Sequence, residues 1–123
     1  MVPAHRRNIQ VKSELFGKSF EHLIHNELFG YLSYRKDDRP LTFWRDRYGH
    51  EVDFIIGDEV CIEVKASENI TNKHIKNIKM LSEEVPFKKK LIISLDPNPR
   101  KVDDISILPW QNFLCGLWAD EFW

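Results

Sequence analysis

The sequence predicts an α/β domain, a mixed β-sheet flanked by helices in the order α-β-β-β-α-β-β-α. Three observations carry this. Apolar residues recur at the 3.6-residue helical period in three separate segments, and short runs of strand-like residues lie between them. Between the second and third helical segments, Leu91-Ile92-Ile93-Ser94-Leu95 is almost continuously apolar, as a strand covered on both faces would be. The 123 residues suffice for one hydrophobic core and are too few for two, and no internal repeat is visible.

The elements follow in order. Residues 1–14 are polar, contain Pro3 and show no period, so they read as an N-terminal arm ahead of a single domain over 15–123. From Leu15 onward, Phe16, Phe20, Leu23, Ile24 and Leu28 fall near one helical stripe, and Gly30 suits its C-terminal end. Tyr31 to Pro40 is a charged connection. Leu41–Arg45, Glu51–Ile56 and Val60–Lys65 read as strands, separated by the turns Tyr48-Gly49-His50 and Gly57-Asp58-Glu59. Thr71–Leu81 reads as a helix with Ile75, Ile78 and Leu81 inward and Lys73, Lys76 and Lys79 about one turn apart. Leu91–Leu95 is a strand that Asp96-Pro97-Asn98-Pro99 ends, and Ile105–Leu108 is the last strand. Pro109 fits the first position of a final helix, with Trp110, Phe113, Leu114, Leu117 and Trp118 along one side. Hairpin-linked strands are expected antiparallel, and the strand–helix–strand unit from Val60 to Leu95 a right-handed crossover between parallel strands.

Composition narrows the class. Cys61 and Cys115 are too few for a disulfide scaffold. No apolar run approaches the roughly 20 residues of a membrane helix, and Met1–Arg7 lacks the apolar stretch of a signal peptide. The expectation is a soluble cytoplasmic domain with no membrane contact. Eighteen basic against nineteen acidic residues give a net charge of −1. That near-balance decides neither for nor against nucleic acid, because a carboxylate site offsets the basic groups around it.

The most informative stretch runs from Glu51 to Lys65. A two-residue Gly57-Asp58 turn would set Asp53 across from Ile62 and Val52 across from Glu63, mixing charged and apolar groups on both faces. A three-residue Gly57-Asp58-Glu59 loop instead pairs Ile56 with Val60, Phe54 with Ile62 and Val52 with Val64, and leaves one clean apolar face. The same register places Asp53 opposite Glu63 and Glu51 opposite Lys65. Hydrophobicity alone therefore brings two carboxylates together, with facing Cβ atoms roughly 4.5–5.5 Å apart. Such a pair repels, and a divalent cation such as Mg²⁺ or Mn²⁺ removes the conflict. Two acids and a lysine around a cation suit phosphodiester hydrolysis.

The ordered set Gly17-Lys18-Ser19-Phe20-Glu21, Phe43-Trp44-Arg45, Glu51-Val52-Asp53-Phe54 and Ile62-Glu63-Val64-Lys65-Ala66-Ser67 resembles the PD-(D/E)XK nuclease superfamily, a restriction-endonuclease-like fold. It is most similar to the nuclease-like domain at the C-terminal end of many bacterial and archaeal AAA+ ATPases. Leu108-Pro109-Trp110 with Phe113-Leu114 and Leu117-Trp118 extends the likeness over roughly residues 15–118. The resemblance implies that Asp53, Glu63 and Glu21 hold the metal and that Lys65 orients the attacking water or stabilises the transition state. It implies a Mg²⁺-dependent endodeoxyribonuclease acting on DNA. The alternative is a non-catalytic module that binds DNA or an AAA+ ATPase partner. Val52 stands where the superfamily has a proline before the acid. No G-x-x-x-x-G-K-[ST] occurs, so the chain holds no P-loop and is a free-standing module, a fragment of an ATPase, or a partner to one. Cutting both strands of a duplex would need two sites, which makes a homodimer plausible on function alone.

Arg45, Arg47, Lys73 and Lys76 are the candidate DNA contacts, with Lys79 and Lys88–Lys90 as further members of the same basic set. His22 and His25, three apart, read as surface histidines because no further zinc ligand lies nearby. His50 reads as a turn residue. Cys61 is expected to pack near the site, Cys115 within the last helix, Trp110 and Trp118 in the core, and Trp123 to be exposed as a contact for a dimer or partner.

Overall fold

The computed structural model describes the backbone of residues 2–123 and the side chains of residues 15–123. Its elements are α1 (Val2–Tyr34), β1 (Leu41–Arg45), β2 (Glu51–Ile56), β3 (Val60–Val64), α2 (Asn72–Ser82), β4 (Lys89–Ser94), β5 (Arg100–Val102), β6 (Ile105–Pro109) and α3 (Trp110–Trp118). The six strands form one mixed sheet in the order β1-β2-β3-β4-β6-β5. β1, β2 and β3 are antiparallel neighbours, β4 lies parallel to both β3 and β6, and β5 closes the far edge antiparallel to β6.

α1 differs from expectation at both ends. It begins at Val2, so residues 2–14, read as an arm, continue the helix backward. Pro3 is tolerated there because first-turn N–H groups have no intrahelical partner. Met1 and the side chains of the arm lie outside the described residues. At the other end the helix passes through Gly30, because buried Tyr31 and Leu32 extend the Ile24–Leu28 stripe at helical spacing. It stops instead at Lys36, whose φ of 55° lets the Asp37 N–H reach back to the Leu32 carbonyl at 2.9 Å.

Two apolar layers sandwich the sheet. On one face Phe20, Ile24, Leu28 and Tyr31 of α1, with Phe113 and Leu117 of α3, cover Phe54, Ile56, Ile62, Leu91 and Ile93. On the other, Ile75, Ile78 and Leu81 of α2 cover Ile55, Cys61, Ile92, Ile105 and Ile107. Both faces of β3 and β4 are thus covered, which explains why Leu91–Leu95 reads as continuously apolar. Each large aliphatic side chain fully buried this way contributes about 1.5–3 kcal/mol.

Other departures are local. β5 is an additional three-residue edge strand whose exposed Arg100 and Lys101 carry no apolar signal. Pro109 ends β6 and caps α3 from outside, where a strand terminus tolerates its missing N–H. Cys115 is exposed and Trp118 is 39% exposed, because the helical period turns both away from the face of α3 that buries Phe113, Gly116 and Leu117. Trp123, expected on the surface, folds back against the α1–α3 layer with its ring edge-on to Tyr31. Gly116 makes that return possible, since a Cβ there would stand 2.5 Å from the Phe122 ring.

Candidate active site

The expected hairpin register holds at the turn. Ile56 pairs with Val60, Ile55 with Cys61 and Phe54 with Ile62 around the Gly57-Asp58-Glu59 loop, where Gly57 adopts φ of 56°. Beyond Phe54↔Ile62 the pairing stops. The expected pairs of Val52 with Val64 and Glu51 with Lys65 are absent from the ladder. The reason lies in a β-bulge: Thr42 pairs with Ile55 and Trp44 with Val52, so Phe43 alone stands opposite Asp53 and Phe54. One extra residue in β2 reverses the alternation below it. Val52 consequently joins the α2-side layer, although Phe54 and Ile56, expected to share its face, lie in the α1-side layer.

The bulge also frees a backbone donor. The Val64 N–H donates to Asp53 Oδ2 at 2.8 Å, anchoring the half-buried Asp53 carboxylate between β2 and β3. Its neighbour is Glu63, which pairs with Ile92 of β4 and has no exposed surface. Among the described residues neither oxygen of Glu63 has a hydrogen-bond partner. Burial first, and the adjacent Asp53 carboxyl second, push the Glu63 carboxyl far above the usual range. The two acids the sequence brought together do meet, through their carboxyl groups rather than as ladder partners.

Glu21, on α1, faces them across a groove. Burial, then Asp53 and Glu51, raise its pKa, while Lys65 and His25 oppose that rise. The groove, of about 340 Å³, is lined by Glu21, Phe43, Arg45, Glu51, Asp53 and Phe54. It adjoins a second hollow of about 520 Å³ formed by Lys18, Glu21, His22, His25 and Phe54. Lys65 follows β3 directly, its N–H donating to the Ile93 carbonyl at 2.9 Å, and among the described residues it forms no ion pair. Its half-buried ammonium acts on both Glu63 and Glu21.

The basic residues divide. Arg45 is at the groove, paired with Glu51 at 3.2 Å and resting 5.5 Å above the Phe43 ring. Arg47 lies in the following turn, its guanidinium 5.1 Å from the Tyr48 ring. His50 is the turn residue expected, holding Asp46 at 2.8 Å. Lys73 opens α2 near Lys65, since both depress the His74 imidazole after the effect of burial, and Lys76 is exposed one turn on. Lys79 and Lys90 belong elsewhere: they pair with Asp103 at 2.8 Å and Asp104 at 2.5 Å. The Lys88 N–H donates to Glu59 at the hairpin turn, the opposite end of the sheet from Lys65. Those three do not extend the basic set around the site.

Sequence reasoning missed Phe43 as a groove residue and Glu51 as a neighbour of Glu21. The Phe43-Trp44-Arg45 alternation was a usable signal for the first. Nothing in the sequence marked the second, because it depends on the bulge. Among the described residues no three His, Cys, Asp or Glu side chains surround one point closely enough to enclose a metal by themselves. The Asp53–Glu63 pair still fits a hard cation that takes its remaining ligands from water and a phosphate, because Glu63 offers two unpartnered buried oxygens. No described helix is long and apolar enough to cross a membrane.

A family profile described as a domain of unknown function, DUF4143, matches residues 16–113, from the first described turn of α1 to Phe113 in α3. That span contains the groove, Asp53, Glu63 and Lys65. No curated protein and no solved structure matches the chain.

Proposed function

The chain belongs to the DUF4143 domain family, and on that premise we propose that it is a Mg²⁺- or Mn²⁺-dependent endodeoxyribonuclease of the PD-(D/E)XK type. The observation that carries this reading is Glu63, a carboxyl without exposed surface or, among the described residues, a hydrogen-bond partner, set against a second carboxyl. Burying that carboxyl beside a second one costs free energy, either as an ion or as the proton it must take up to avoid ionising, so the packing alone gives no reason to keep it there. A divalent cation held by Asp53 and Glu63 offsets that cost, and Glu21 lies across the groove as a third acid. When bound, such an ion supplies Lewis-acid activation for phosphodiester hydrolysis.

The chain's own groups do the rest. The Val64 N–H occupies Asp53 Oδ2 and so fixes the orientation of that carboxylate. Lys65, half-buried and without an ion pair among the described residues, offers its ammonium to a non-bridging phosphate oxygen or to the attacking water. Glu21, with its pKa raised by burial and the neighbouring acids, is suited to accept a proton from water in the groove. Arg45 holds a backbone phosphate at the groove's rim.

The test is cleavage of supercoiled plasmid and of single-stranded circular DNA in Mg²⁺ and Mn²⁺ by the wild type, Asp53→Ala and Glu63→Gln, with circular dichroism as the folding control. Each variant is expected to lose at least about 100-fold in rate, the scale on which removing one stabilising charge acts. Undiminished cleavage by both would overturn the reading. The absence of a three-ligand cluster among the described residues favours one alternative, a non-catalytic module that binds DNA or an AAA+ ATPase. Metal-independent binding with no cleavage of any DNA form would establish that alternative.

A further inference from the structure

We propose that the Phe43–Arg45 and Tyr48–Arg47 pairs form a stacking platform for unpaired bases, so that the groove takes single-stranded DNA rather than intact duplex. This deepens the nuclease reading and rests on it for the chemistry, though not for the binding.

Isolated exposed aromatics are ordinary on protein surfaces. These two are arranged differently. Phe43 is 65% exposed and Tyr48 is 71% exposed, and each carries a guanidinium over its ring, at 5.5 Å and 5.1 Å. Arg47 also donates to the Tyr48 hydroxyl at 2.9 Å, which holds ring and cation as a unit. Phe43 and Arg45 are two residues apart on edge strand β1, so both project to the same side, and both line the groove with Asp53. Tyr48 and Arg47 continue the series in the turn that leaves that strand.

The position of Phe43 is set by the bulge. It is the single β1 residue opposite Asp53 and Phe54, and among the described residues no element covers it. A base stacked on this ring brings its own phosphate into the groove that Asp53 lines, with Arg45 beside it. Alternating aromatic faces and cations along one edge match the alternation of base and phosphate along a single strand. In a duplex the base faces are already stacked on one another, and the platform has nothing to engage. Arg45 lines the groove, held at 3.2 Å by Glu51, and Arg47 adds a second cation in the turn beyond it.

The experiment measures fluorescence anisotropy of a labelled oligodeoxythymidylate and of a blunt duplex of equal length. The wild type, Phe43→Ala and Tyr48→Ala are compared, in EDTA and again in Ca²⁺. Both aromatic side chains are exposed, so both variants should fold, and thermal melts check this. The wild type is expected to prefer the single strand. Phe43→Ala should weaken single-strand binding about ten-fold and Tyr48→Ala measurably, with duplex binding unchanged, since stacking on one aromatic acts on this scale. Equal affinity for the two forms, no effect of Phe43→Ala, or no binding in either buffer would each overturn the platform. Cleavage in Mn²⁺ is scored separately on the same oligonucleotides. Binding as expected without cleavage leaves the platform standing and refutes the nuclease, while cleavage without strand preference does the reverse.

Discussion

The two ends of the β2–β3 hairpin are built on opposite terms. At the turn, Phe54, Ile56, Val60 and Ile62 pair in unbroken register beneath α1, and every one is buried. At the open end the ladder has stopped, Val52 has changed face, one backbone donor is satisfied by a side chain, and Glu63 lies buried with nothing bonded to it. The same two strands therefore concentrate packing at one end and unfavourable electrostatics at the other. Carboxylates of this kind persist only where surrounding packing outweighs their cost, so the closed end is what makes the open end possible.

The largest expected effect breaks the closed end. Ile62→Ala removes a fully buried side chain and should lower unfolding stability by about 2–5 kcal/mol in urea titrations, while the rate per folded molecule stays unchanged. The open end should respond with the opposite sign. Glu63→Gln keeps a donor toward Asp53 but no longer has to take up a proton on folding, so in EDTA at neutral pH it should stabilise by about 1–3 kcal/mol. A loss of stability in that variant would mean that Glu63 is tied into the fold in a way the structure does not record.

The pH dependence sharpens the contrast. Because the Glu63 carboxyl is raised from its ordinary value of 4.5, the native state holds a proton that the unfolded chain releases above that pH. Its stabilising contribution is complete below 4.5 and is lost as pH rises through the raised folded value, at no more than about 1.4 kcal/mol per pH unit. Melting temperatures in EDTA should fall over that window in the wild type and fall less in Glu63→Gln. The smallest effects concern the lysines. Lys73→Ala and Arg47→Ala should each lower the salt-dependence exponent of DNA binding by about 1, whereas Lys79→Ala and Lys90→Ala, paired with aspartates at the far end, should leave it alone.

How far the sequence reaches follows the same division. Alternation fixes the register at the turn, because a slip there would move Phe54, Ile56, Val60 and Ile62 to the wrong face at once. Helical spacing likewise locates Ile75, Ile78 and Leu81, and the covered strand shows in Leu91–Leu95. Asp53, Glu63 and Lys65 were legible as neighbours for this reason. The bulge was not, since one inserted residue leaves Val52 apolar and buried on either face. With it went the position of Glu51 beside Glu21. The end of α1 was misjudged because a glycine inside a helix costs only about 1 kcal/mol, which Tyr31 and Leu32 more than offset by burial. β5 is three residues long, and its one apolar side chain, Val102, packs at the margin of the α2-side layer, too little to mark a strand in the sequence.

The measurement that bears most directly on this account is calorimetric titration of Mg²⁺ and Mn²⁺ into the wild type and into Glu63→Gln. The account predicts saturable binding by the wild type, stronger at higher pH as the buried carboxyl must lose its proton, and none by the variant. Equal binding by both proteins would contradict it, because the buried carboxyl of Glu63 would then have no part in holding the ion.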